Sequence, residues 1–404
     1  MLEVSWFHRT PHRSAYRDGI RLGVAGAAAA AAIYFPQPLA ARIQTSFDVS
    51  VLWAAMPMTF AFIVLTSGPV LFGRFITVAR AMRIVIVTEL LLAALFAAQA
   101  VAFDSLPYFT LRALQVFLLP LLIPAVITGS SNIQGSDNRA RDLAFYTAGT
   151  IVGGVGGRLI AVGSVTFEHW QIGSLAITAM LLFSAWLLRD PPELASEIPR
   201  RPTTAGDTTI APVEQKKSWR CQVTLSYPGL ALAFGVLTTV LTCLPFEIGY
   251  KRGGALMLAI VYGGYAVGIA TSLGAPAITR ISRGLPNATL VAAVLFVVGL
   301  CGVIQGSFPA LVVGVVLLCG SMVFQQATQI VLLNDYFARS QSGTVSALFV
   351  AAVFAGGTLG SSVMVSLYEW AGWGVVMGIC LVFAAVAGYC VYAAARGQHR
   401  QASV

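Results

Sequence analysis

The sequence is short of charge. Only 10% of its 404 residues are Asp, Glu, Lys or Arg, against 57% hydrophobic residues and a mean hydropathy of +0.80. Soluble domains carry about 25% charged residues, so that class is excluded. Carboxylates are scarcest, 16 against 25 Lys and Arg. The four histidines, His8, His12, His169 and His399, all lie outside the long apolar runs, which excludes an intramembrane histidine relay. Cys221, Cys243, Cys301, Cys319, Cys380 and Cys390 form no CxxC pair, and five of them sit inside apolar runs. They read as small apolar residues rather than a disulfide framework or metal site. A phosphate-binding G-x-x-x-x-G-K-[ST] loop is missing, which argues against ATP coupling within the chain. Metal-ligand spacing and a nucleophile–base set are missing too, so the chain reads as no enzyme and as needing no cofactor. Apolar residues run continuously instead of alternating, which disfavours a β-barrel. The Arg-rich N-terminus lacks a small-residue cleavage site after a brief apolar region, so no cleavable signal is expected.

What is present is length without charge. Stretches of about 20 apolar residues, enough to cross a ~30 Å hydrocarbon core, recur at about 20–39, 51–72, 84–103, 111–127, 142–163 and 168–188. A second set falls at about 225–247, 254–276, 287–307, 308–331, 343–367 and 372–395. Between them, 189–224 is rich in Pro, Thr and charge and reads as a flexible cytoplasmic linker. Residues 1–19 and 396–404 read as cytoplasmic tails. The fold expected is all-α integral membrane, twelve transmembrane helices in two pseudo-symmetric six-helix bundles (20–188 and 225–395).

The net charge of +9 raises nucleic acid as a partner, and its distribution argues against that. With the N-terminus inside, the basic residues outside the spans fall on the inner side except Arg42, Lys251 and Arg252. That bias is the positive-inside rule. It places both termini in the cytoplasm of a multi-pass chain; the expected setting is a bacterial inner membrane, and the expected state a monomer in the lipid bilayer. A faint repeat supports two halves: Gly68-x5-Arg74 closes the second span and Gly274-x5-Arg280 the eighth.

Ionisable and amide side chains inside spans are costly and mark candidate sites. Arg112 opens the fourth span with Gln115 one turn on; it either snorkels to the interface or faces the protein interior. Glu89 in the third span is either a proton site or a neutral or Arg83-bonded carboxyl. Glu247 ends the seventh span beside Pro245; it either pairs with Arg112 across the halves or with Lys251 at i+4. Gln37, in Tyr34-Phe35-Pro36-Gln37-Pro38, either faces substrate or caps carbonyls freed by the prolines. Gln325, Gln326 and Gln329 mark the tenth span, with Gln325 and Gln329 on one face. Tyr34, Tyr146, Tyr262 and Tyr265 are candidates for an aromatic cavity wall. Gly149, Gly153, Gly154, Gly156 and Gly157 crowd the fifth span, a density that requires close helix contact. Arg158 follows them, expected near the outer boundary.

These motifs carry a resemblance. Arg112-x-x-Gln115 followed by an apolar, proline-bearing run resembles the fourth-helix signature of the major facilitator superfamily, with Val116 in place of its glycine. In that family the arginine faces the central cavity and is tied to proton coupling. The glycine run resembles the fifth-helix motif of proton antiporters, with Gly154 standing where a proline is expected. The family's loop motif, Gly-x-x-x-Asp-Arg-x-Gly-Arg-Arg, matches poorly, with Phe72 and Ile278 at the Asp positions. Gln37-Pro38, Arg112–Val116, Gly153–Arg158 and Ile248–Arg252 resemble inner-membrane transporters of the YnfM type. The resemblance implies proton-coupled export of a small organic molecule, a drug, metabolite or hydroxamate siderophore, driven by the proton gradient. Import, or a non-transporting receptor or assembly factor on the same fold, are the alternatives.

Overall fold

The computed structural model describes residues 13–72, 78–130, 136–167, 169–189, 223–249, 254–336 and 342–402. Lys216, Lys217 and nearly all of the expected linker, with Lys251 and Arg252, lie outside the described residues. Among the described residues the chain is helical and contains no strand.

The first span is longer than its apolar run. α1 (Arg13–Tyr34) leads through Phe35 into α2 (Pro36–Phe47), and Phe35 N–H still donates to Ala31 O at 2.9 Å. Pro36 and Pro38 fall in the first turn of α2, where backbone N–H groups have no intrahelical partner, so neither proline stops the helix. It ends at Asp48, in the left-handed region at φ 50°, a conformation that Asp tolerates better than most residues. The expected end near residue 39 is corrected to Phe47.

α3 (Val51–Phe72), α4 (Val78–Gln99), α5 (Ser105–Ser130), α6 (Ser136–Thr166) and α7 (Trp170–Leu188) complete the first half. The second half opens with α8 (Ser226–Ile248). Its next span is broken: α9 (Gly254–Gly263), a 3₁₀ turn at Gly264–Ala266, α10 (Val267–Leu273) and α11 (Ala275–Ile281). α12 (Leu285–Gln305), α13 (Phe308–Tyr336), α14 (Ser342–Ser361) and α15 (Val363–Ala402) follow. Eleven stretches among the described residues are long and apolar enough to cross a membrane, and the last, Ala347–Gly397, has 51 residues. That is more than twice what a ~30 Å core needs at 1.5 Å per residue. Gly372, at φ 79° and ψ 176°, divides it into the eleventh and twelfth spans. With twelve crossings α1 begins and α15 ends on one face, called here the near face.

Each half has its own apolar core, one built from α1–α7 and one centred on α8–α15, and Met58, Phe62 and Val162 of the first half reach into the second. Large apolar side chains such as Leu90, Leu91, Val291, Val294 and Val298 face outward, as a hydrocarbon solvent permits.

The halves are held internally by backbone-to-backbone crossings. A Cβ on Gly149, Gly153 or Gly157 of α6 would run into the α1 backbone at Gly23, Ala27 or Ala31. The second half repeats this: Gly356 and Gly360 of α14 rest on Ala231 and Gly235 of α8. Glycines every fourth residue lie on one helix face and let the axes approach. Gly156, on another face, has nothing within 4 Å. Gly153→Leu is therefore expected to destabilise by at least the ~1–3 kcal/mol of ordinary overpacking, read as a lower unfolding temperature and a smaller monodisperse fraction. Gly156→Leu is expected to leave both unchanged.

Candidate functional site

The glycine crossing carries α6 past α1 so that Arg158, one residue beyond Gly157, enters the interface between the halves. It is 2% exposed, so it does not snorkel to an interface as an arginine near the outer boundary can. The ladder of glycines pulls it against α1 before it can reach the surface. Its guanidinium carbon lies 4.2 Å from the Tyr34 ring centroid, 4.9 Å from Tyr265 and 5.9 Å from Tyr262. A cation over a desolvated ring gains about 2 kcal/mol. Arg158 Nε donates to Gln37 Oε1 at 2.8 Å and Nη1 to Gly154 O at 2.9 Å. Gln37 Nε2 in turn donates to Thr242 Oγ1 in α8 at 3.0 Å. One polar chain thus runs from α6 through α2 to the second half.

Toward the near face lies a cavity of about 440 Å³ between the halves. Tyr34, Tyr146, Tyr265 and Gln326 line it, with Phe234 and Phe354. Phe62, Phe234 and Phe354 close one wall as a triangle with centroids 5.7, 5.9 and 6.2 Å apart. The structure gathers Tyr34, Tyr265 and Tyr146 at the cavity, as their aromatic character suggests. Tyr262 stands beside them, its hydroxyl donating to Leu241 O at 2.8 Å.

Other candidates fall elsewhere. Arg112 is 1% exposed and turned into its own half: Nε donates to Pro57 O (3.4 Å), Nη1 to Ala32 O (3.2 Å) and Gln115 Oε1 (3.1 Å), and Nη2 to Ile33 O (3.2 Å). Gln115 Nε2 donates to Gln99 Oε1 at 3.0 Å. The expected pair with Glu247 does not form, because these carbonyls already occupy the guanidinium. Glu247 sits exposed at the end of α8, within hydrogen-bonding reach of Tyr368. Glu89 is fully buried between α4 and α7; it accepts from Ser184 Oγ at 2.8 Å rather than pairing with Arg83, and its Oε2 has no partner. Gln329 is helix glue, accepting from Ser226 Oγ at 2.7 Å and donating to Val391 O at 3.5 Å. Gln325 is buried with Oε1 unpartnered, so of the three glutamines it is Gln326 that meets the cavity. Gly154 packs under the side chains of Tyr34 and Arg158 rather than against the α1 backbone.

Residues that the sequence reading missed join the halves on the far side. Thr59 Oγ1 donates to Ser361 O at 2.8 Å. Val51 N–H donates to Glu369 Oε1 at 3.1 Å and Leu52 N–H to Oε2 at 3.2 Å. Glu369 thereby caps the first turn of α3 from the other half, where free N–H groups and the helix dipole favour a carboxylate. Nothing in the local sequence marks Glu369, since its partner lies more than 300 residues away. Glu369→Gln keeps the shape and removes the charge, and charged hydrogen bonds are about twice as strong as neutral ones. Spin labels at Trp53 and Trp370, both exposed and on opposite halves, are expected to report a far-side-separated population increased about 3- to 10-fold, a shift of order 1 kcal/mol.

A family model described as Major Facilitator Superfamily matches residues 22–324. Among solved structures, the chain is similar to a bacterial homologue of the human lysosomal transporter Spinster, inward-facing and unoccupied (TM-score 0.69, 15% identity, 96% of this chain and 98% of that one). It is also similar to the nucleoside transporter NupG (TM-score 0.70, 11% identity, 95% and 100% covered). A third is the peptide transporter POT in complex with alafosfalin (TM-score 0.70, 13% identity, 94% and 95% covered). At such identities the likeness is one of fold. No curated protein matches the sequence. With the family model spanning most of the chain, and twelve crossings in two pseudo-symmetric bundles around a central cavity, this protein belongs to the Major Facilitator Superfamily and is by its fold a secondary transporter.

Proposed function

We infer that the chain exports a small organic molecule by alternating access, coupled to protons moving the other way. The observation that carries the reading is the cavity of about 440 Å³ between the halves, with reversible polar contacts joining them on its far side. Its size and largely apolar, aromatic lining suit a drug, metabolite or siderophore-class solute. Export rather than import is supported by the glycine-rich α6, which resembles the antiporter form. The positive-inside bias supports cytoplasmic termini in a bacterial inner membrane, so the cavity lies on the cytoplasmic side of the contacts. The carrier is proposed to work as a monomer. Glu247, at the far end of α8, and Glu89, buried with one oxygen unpartnered, are the proposed proton-bearing groups. Arg112 is the proposed positioning group that ties α1, α3 and α5 together.

Purified protein in liposomes with an imposed pH gradient and a pH-sensitive dye tests this, using siderophores, drugs and sugars in turn. Solute-dependent proton flux opposite to solute movement is the expected result; flux in the same direction identifies an importer. Glu247→Gln and Glu89→Gln at normal expression are each expected to lower that flux at least ~10-fold, the effect of removing a group worth 1.4 kcal/mol or more to the coupled step. If both leave flux unchanged, they are not the proton sites. Arg112→Ala removes four buried hydrogen bonds and leaves the Ala32 carbonyl, which Pro36 cannot serve, without a donor, at ~1–3 kcal/mol for an unsatisfied group, and is expected to lower thermal stability together with flux.

A further inference from the structure

Arg112 and Arg158, the two most deeply buried arginines of the first half, use their donors differently. A guanidinium has five N–H donors and stays charged. The Arg112 guanidinium makes four hydrogen bonds, all to carbonyl oxygens of its own half. Arg158 makes two, and its planar faces are covered by Tyr34, Tyr265 and Tyr262. Ring faces attract a cation but accept no directed N–H bond of carbonyl strength. Among the described residues, no carboxylate lies within ion-pair distance of Arg158. It is a permanent buried charge with donors to spare and no counter-ion.

Its place sharpens this. Tyr34 and Tyr265 both line the cavity and both stack on Arg158, so a single ring layer separates the guanidinium from the cavity. Among the described residues the cavity wall contains no charged side chain; its polar groups are those of Tyr146, Thr147, Thr150, Ser272 and Gln326 beside the two capping tyrosines. Tyr34 and Gly154 belong to the first half, Tyr262 and Tyr265 to the second. A separation of the halves would take Tyr262 and Tyr265 from the guanidinium and leave Tyr34 over its other face.

We propose that Arg158 is the recognition group for a carboxylate on a solute whose apolar, aromatic body occupies the cavity, so that this protein selects organic monoanions. The assignment rests on the transport reading and names the charge class of its solute. A planar guanidinium takes a carboxylate through two parallel N–H···O bonds, and the tyrosine rings that now cover it would flank the solute instead.

The test uses the full chain in nanodiscs with three matched compounds: 1-naphthoate, 1-naphthamide and 1-naphthylmethylamine. Binding is read by equilibrium dialysis and by thermal shift. Wild type is expected to bind the carboxylate at least ~10-fold more tightly than the amide, the ratio for about 1.4 kcal/mol, and the amine more weakly still. Arg158→Lys keeps the charge and loses the fork; its preference for the carboxylate over the amide is expected to persist at reduced affinity. Arg158→Gln, folded by its unfolding profile, is expected to bind acid and amide alike. Should Arg158→Gln not fold, wild type and Arg158→Lys carry the test. Wild type that holds amide or amine as tightly as the acid overturns the proposal, as does a folded Arg158→Gln that keeps the preference. Liposome transport separates the two readings. Carboxylate selectivity at Arg158 with no solute crossing the bilayer leaves the assignment standing and removes the transport reading. Transport of amide and amine as fast as the acid, unaffected by Arg158→Gln, does the reverse.

Discussion

The crossing of α6 over α1 is the contact on which the site depends. Three glycines, one per turn, let the α6 backbone rest on Gly23, Ala27 and Ala31. The residue after the last of them is an arginine, and at this separation it has no route to the surface. It enters the interface under Tyr34, with Gln37 as its in-plane acceptor. Were the axes held apart by larger residues, the same arginine would have room to snorkel. Small side chains on one helix thus decide the burial of a charge on the same helix.

Burying a guanidinium in a membrane protein costs at least a few kcal/mol unless partners are supplied. This chain supplies them in two ways. Arg112 is coordinated by three backbone carbonyls and Gln115, and Gln115 is held by Gln99. Carbonyls belong to helices that keep their relative places, so this arrangement is a fixed brace among α1, α3 and α5. Arg158 is enclosed by rings drawn from both halves. That enclosure lasts only while the halves are together. The difference between a brace and a switchable site lies in which bodies own the partners.

The same distinction runs through the whole bundle. Within each half, helices meet backbone to backbone through Gly149, Gly153 and Gly157 or through Gly356 and Gly360. Between halves, side-chain hydrogen bonds join Gln37 with Thr242, Thr59 with Ser361 and Glu369 with the amides of α3, and apolar side chains of α3 such as Ala55, Met58 and Phe62 pack against the second half. Close packing resists deformation, whereas a few polar contacts can part and re-form. Two stiff bodies joined by weak seams move by rocking about a central site.

The sequence by itself determined the membrane class, the twelve crossings, the two halves and the close packing of the fifth span. These follow from run length, charge and small-residue spacing, which are local. It also marked Tyr34, Tyr146, Tyr265 and the glycines as worth watching. It ranked Arg112 as the central charge and left Arg158 at the outer boundary, because a cation in an apolar run does not show which helices will supply its acceptors. It grouped Gln325 with Gln329 on one face, whereas Gln326 lines the cavity, since helical phase places residues on a face without saying which neighbour covers that face. Glu369 and Thr242 carried no signal, their partners being more than 200 residues away. Only the tertiary structure decided which buried charge is braced and which is left without a counter-ion, because that depends on acceptors supplied by distant helices.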